Sequence, residues 1–100
     1  MGDAANCLVL TASIAEIEPL RFTPAGVPAL NLKLEHASSV SEAGQAREVK
    51  AALRAVALGA MAERLAPQAT GSSWKFSGFL ANPRNGRHVV FHIQEFSKDQ

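Results

Sequence analysis

The side chains in this sequence best equipped to engage a ligand are its cations. Arg21 stands beside Phe22 just ahead of a Thr-Pro-Ala-Gly turn, and Arg84 and Arg87 bracket an Asn-Gly dipeptide. Lys33, Lys50 and Arg54 fall at outward positions of alternating apolar runs. Cations placed this way can follow a phosphate backbone, and an exposed aromatic among them offers a face on which a base stacks. Of the aromatics, Trp74, Phe76 and Phe91 fall where alternation predicts core, which leaves Phe22 as the exposed stacker. The competing reading of the cations is ordinary solubilising charge.

Catalytic chemistry finds no foothold. Asp3 and Asp99 lie at the ends, and Glu16, Glu18, Glu35, Glu42, Glu48, Glu63 and Glu95 are scattered, so no carboxylate pair is set up for acid/base work. There is no Gly-x-Ser-x-Gly elbow, no Gly-x-x-x-x-Gly-Lys loop and no Gly-x-Gly-x-x-Gly turn. His88 and His92 share a strand face but have no third ligand nearby, short of the four that structural zinc takes. A non-enzyme without metal or cofactor is expected. The lone Cys7 reads as a small buried hydrophobe in a reducing compartment.

Composition sets the frame for these residues. A chain of 100 residues, 47% hydrophobic and 19% charged, makes one globular domain over 1–100, with 1–5 expected to be disordered. The net charge of +1 supplies no overall field toward nucleic acid, so any such binding must come from local placement. The first residues lack a basic segment followed by an apolar one, and Lys50, Arg54, Glu63 and Arg64 interrupt the apolar stretches. A soluble, cytoplasmic protein is the expectation.

The elements that must hold the cations follow from periodicity. Residues 7–15 alternate as a strand with Leu8, Leu10, Ala12 and Ile14 inward, and Pro24 with Gly26 marks a hairpin turn after Phe22. A second strand over 29–38 turns Leu30, Leu32, Leu34 and His36 inward, and the small polar residues 38–46 read as a loop. The stretch Arg47 to Ala66 fits strand or helix; Gly59 divides it, giving a strand over Arg47–Leu58 and a short helix over Ala60–Leu65. Strands over 74–80 and 88–96 follow, joined by an Asn85-Gly86 hairpin. The last strand places Val89, Phe91 and Ile93 on one face, with His88, Val90, His92, Gln94 and Phe96 on the other. Five strands with one short helix between the third and fourth is the order of an all-β Greek-key barrel of the OB type.

Three passages carry a resemblance: Leu8-Val9-Leu10; Thr23-Pro24-Ala25-Gly26-Val27-Pro28 with Leu34-Glu35-His36; and Gly78-Phe79-Leu80-Ala81. Together they resemble the primosomal replication protein N (PriB) family, relatives of the bacterial single-stranded-DNA-binding proteins, over about residues 6–97. The resemblance implies a homodimeric OB-fold that binds single-stranded DNA and helps the restart helicase PriA and its partner DnaT rebuild a replisome. The chain stops soon after its last strand, which is expected to favour the primosomal member over strand-coating relatives with an acidic tail. Arg21 matches a basic family position in the first hairpin, and Arg84 with Arg87 falls in a loop where members place DNA-contacting lysines. Lys50 stands where some members carry a stacking Trp, and Ala37 where a basic residue follows Leu-Glu-His. The expected DNA-binding set is Arg21, Phe22, Lys33, Lys50, Arg54, Arg84 and Arg87. The alternative is an adaptor that docks proteins, with DNA binding vestigial.

Overall fold

The computed structural model describes residues 4–98. The expected disorder over 1–5 therefore falls partly outside the described residues, as do Asp3 and Asp99; Ala4 and Ala5 lie within them, exposed and in no regular element. Six strands and one helix follow in order: β1 (Leu8–Ile17), β2 (Arg21–Phe22), β3 (Pro28–Glu42), β4 (Gln45–Leu58), α1 (Ala60–Leu65), β5 (Ser73–Ala81) and β6 (Val90–Ser97). The sheet order is β1-β5-β6-β4-β3-β2, and β1 also pairs with β3, which closes five strands into a barrel and leaves the short β2 on its rim. This is the expected OB architecture, with the helix where it was expected.

Closure depends on β1 serving two neighbours. Its first half, Leu8–Ser13, pairs with β5, and its second, Ser13–Ile17, with β3, the register shifting between Ile14 and Glu16. A shift of this kind bends a strand and raises its twist, which lets one strand turn the corner of a barrel. Period-two alternation fills the interior with Ile14, Leu30, Leu34, Phe76 and Phe91, all fully buried. Helix α1 adds Ala62 and Leu65 to the same core. Its entry is set by Gly59 at φ 69°, whose N–H donates to the Pro28 carbonyl at 2.8 Å. No helix among the described residues is long and apolar enough to cross a membrane.

Several expectations are corrected. Residues 38–46 are not a loop: β3 and β4 run on as a two-stranded arm to Glu42 and Gln45. The arm turns through Ala43 (φ 53°) and Gly44 (φ 78°), the doubly positive pair that a two-residue hairpin requires. Almost every side chain of the arm's outer half is exposed, so it has no buried face for alternation to report. The Asn-Gly dipeptide, conversely, does not form the hairpin. Gly86 donates to the Pro83 carbonyl at 3.0 Å, so Asn85 and Gly86 are the third and fourth residues of a turn inside a longer loop, 82–89. Neither takes positive φ.

His88 lies in that loop rather than on a strand face with His92, and Val89 is exposed. Phe96 is buried, against expectation, because Ser77 pairs with Glu95 while Gly78 pairs with Ile93, leaving Gln94 as an extra residue that flips the face beyond it. Phe96 then meets Trp74 edge-on at 5.0 Å and Phe76 at 6.4 Å. Cys7, finally, is exposed rather than buried, one residue ahead of β1.

Candidate nucleic-acid interface

Strand register assembles the site. On the outer face of the barrel Lys33 of β3 stands opposite Arg54 of β4, and Glu16 of β1 opposite Lys33. The neighbouring row runs from Asn31 of β3 through Val56 of β4 and His92 of β6 to Phe79 of β5. The alternate residues, Leu32, Leu34 and Ala55, turn into the core. Directly opposed side chains have Cβ atoms roughly 4.5–5.5 Å apart, and like charges so placed destabilise a sheet. Lys33 and Arg54 are such a pair, with Glu16 as a partial counterweight.

A groove of about 650 Å³ lies over these rows, lined by Arg21, Lys33 and Arg54 together with Asn31, Val56 and His92. Glu16, Glu18 and Pro83 complete its rim. Arg21 reaches it from β2: its Nη2 donates to Asn31 Oδ1 at 3.2 Å, and Asn31 Nδ2 donates to Glu18 Oε1 at 3.4 Å. Among the described residues the only ion pair joins Arg47 to Glu42 on the arm, so the groove's cations are not neutralised by close carboxylates.

The expected residues divide by location. Arg21, Lys33 and Arg54 converge in the groove; Phe22, 63% exposed, is on the rim strand beside Arg21. Arg84 and Arg87 are exposed on loop 82–89, whose Pro83 borders the groove. Lys50 is elsewhere. Opposite Ala37, it lines a separate depression of about 630 Å³ with Thr11, Ser13, Glu35 and His36, where the arm leaves the barrel. There the His36 ring bridges the Thr11 carbonyl at 2.6 Å and Ser38 Oγ at 2.8 Å.

Sequence reasoning overlooked the second row. The Phe79 and His92 rings stack with centroids 4.8 Å apart and planes 9° apart, a pairing made across two strands. Periodicity puts each residue on a face of its own strand; only the register of β5 against β6 makes them neighbours. Asn31, which ties Arg21 to Glu18, escaped for the same reason.

A family model described as "Another single-strand binding protein family" matches residues 6–95. Replication restart protein PriB of Bordetella pertussis is 44% identical over 91 residues, which cover 90% of this chain and 85% of that protein. Its counterpart from Nitrosomonas europaea is 30% identical over 91 residues, covering 90% and 84%. A solved structure of PriB from Ralstonia solanacearum superposes with a TM-score of 0.88 at 38% identity, over 97% of this chain and 100% of that one. The wild-type single-stranded DNA binding protein of Thermus aquaticus, 23% identical, shares the fold with a TM-score of 0.77 over 96% of this chain and 50% of its own. With a family model spanning residues 6–95, relatives of this identity and a closed barrel that superposes on a solved PriB, the chain belongs to the PriB family of single-strand-binding OB-fold proteins.

Proposed function

We propose that this protein is a non-catalytic, single-stranded-DNA-binding accessory of the replication-restart primosome, acting in the cytoplasm as a homodimer alongside the helicase PriA and DnaT. The observation that carries the reading is the convergence of Arg21, Lys33 and Arg54, none in an ion pair among the described residues, in one groove on this barrel. Phosphates follow that groove and continue onto Arg84 and Arg87 of loop 82–89, while Phe22 is placed to receive a base at the rim. Lys50, at the foot of the arm, extends the track to a second contact. Cations on a rigid sheet face and uncommitted bases favour binding with little sequence preference.

Dimerisation has a structural rationale in β1. Among the described residues, Leu8–Ala12 pairs with β5 on one side only, and Val9 is 53% exposed. An open, apolar edge invites pairing with a second strand, and a second copy of β1 supplies one without leaving another edge free. Sedimentation at micromolar concentration should return a dimer; a monomer would remove this part of the reading.

The central test is fluorescence anisotropy of a labelled single strand across a salt series, with duplex of the same sequence as control. Preferential single-strand binding is expected, with log K falling against log salt by ~0.7 for each phosphate neutralised. The protein-docking adaptor is the second reading. Glu16 and Glu18 on the groove rim favour it, since they dilute the cationic field. It predicts no single-strand binding even at low salt, and helicase binding that survives neutralisation of Arg84 and Arg87.

A further inference from the structure

Resting on the single-strand reading above, we infer that His92, backed by Phe79, is the platform on which the groove stacks a base. The remaining aromatics leave few candidates. Phe76, Phe91 and Phe96 are buried, and Trp74 is held half-buried by its T-shaped contact with Phe96 and by donation from Nε1 to Ser72 Oγ at 2.9 Å. Phe22 is exposed on the rim strand, outside the lining of the groove. Among the described residues His92 is the one aromatic ring that lines the groove itself, together with Lys33 and Arg54.

The geometry suits the task. Phe79 lies parallel to the imidazole, 4.8 Å away at 9°, so one face of His92 is covered and the ring is held in a fixed attitude to the sheet. On its other side is Val56, its partner across the parallel β4–β6 pairing, with Asn31 beyond. A base entering the groove meets Val56 as an apolar floor and the imidazole as a wall, while Lys33 and Arg54, one row along, take the flanking phosphates. A ring already immobilised by a neighbour loses little conformational freedom when a base stacks on it. Histidine is among the side chains on which unstacked bases lie, and such stacking tolerates any base because each has a π-face.

The test separates base from phosphate. A labelled oligothymidylate and an abasic chain of equal length carry the same backbone charge, so their affinity ratio isolates what the bases contribute. The wild-type protein should prefer oligothymidylate by about tenfold, the scale of one stacked base. His92→Leu, which keeps apolar packing on Phe79 but lacks a π-face, should remove most of this preference and leave the salt slope unchanged. His92→Phe should preserve the ratio, and Phe22→Ala, which removes only the rim contact, should lower it by less than His92→Leu does. A ratio that survives His92→Leu, or that disappears with Phe22→Ala instead, overturns the platform. Equal wild-type affinity for both chains overturns it while leaving the single-strand reading standing. Binding to neither chain at low salt overturns that reading and the platform with it.

Discussion

Two regions of the molecule carry their exposed cations by opposite means. In the groove, Lys33 and Arg54 are locked side by side by the β3–β4 register, and Arg21 is tethered through Asn31 to Glu18. On loop 82–89, Arg84 and Arg87 have no hydrogen bond or ion pair among the described residues and sit on backbone outside any strand. The sheet holds its charges in a fixed geometry and bears their mutual repulsion; the loop holds its own without that penalty and without the precision. A ligand whose phosphates recur at regular spacing is well served by fixed charges, and one that must be captured from solution by adaptable ones.

The largest effect expected from breaking this contrast comes from the register that builds the groove's second row. A Cβ on Gly78 would lie 1.8 Å from the His92 carbonyl oxygen, too close for any side chain. Gly78→Ala must therefore push β5 and β6 apart at the bulge and displace Phe79 and His92 together. A loss of about 3 kcal/mol or more in denaturant unfolding is expected, the upper range for overpacking. A Cβ on Gly86 would also approach closely, 2.2 Å from Pro83 Cγ, but on an exposed loop outside the sheet, where the backbone can shift without parting two strands, so substitution there should cost less.

Next in size are the charge effects on binding. Replacing Lys33 and Arg54 together with Gln should lower the salt slope of single-strand binding by about 1.4, two phosphates' worth. Arg84→Gln with Arg87→Gln should lower the slope by a smaller amount if the loop engages phosphates only part of the time. Anisotropy titrations at several salt concentrations measure both. An unchanged slope and affinity in the loop double variant would show that Arg84 and Arg87 do not contact DNA.

These predictions also mark where the sequence was legible. Wherever a strand has one wet and one dry face, as Leu30, Leu32 and Leu34 alternate with Asn31 and Lys33, the barrel could be read residue by residue. Gly59 likewise marked the start of α1 because the backbone there needs positive φ. Legibility failed where burial gives no contrast, as on the arm over 38–46, and where an extra residue changes the face, as Gln94 does ahead of Phe96. The candidate site was half visible for a related reason. Lys33 and Arg54 could be named as outward cations from their own strands, but their opposition, the exclusion of Lys50 and the Phe79–His92 stack all depend on pairing between strands distant in sequence. The Asn85-Gly86 dipeptide misled because its tolerance of positive φ is permission rather than requirement, and Pro83 set the turn two residues earlier.

The arm offers a further, moderate test of how fixed the sheet really is. Gly44 turns it at φ 78°, with open space where a Cβ would stand, so Gly44→Ala meets no clash and pays only the backbone penalty of a left-handed residue. About 1 kcal/mol is expected, seen as faster hydrogen exchange along 38–49 rather than as global unfolding.

The smallest effect is the most telling, because its sign is opposite in stability and in binding. Arg54 stands beside Lys33 in a directly opposed pair, and Glu16 flanks Lys33 on the other side. Removing the charge at Arg54 leaves Lys33 with a carboxylate neighbour and no repulsion. Arg54→Gln should therefore raise stability by a few tenths of a kcal/mol, within the ~0.2–1 kcal/mol range of cross-strand pairs, while it weakens single-strand binding. The gain should shrink as salt screens the repulsion. Arg84→Gln, with no charged neighbour fixed beside it, should leave stability unchanged at every salt concentration. If Arg54→Gln destabilises instead, the arginine's alkyl stem is packing on the sheet face, and the groove is held together by the residue that was taken to strain it.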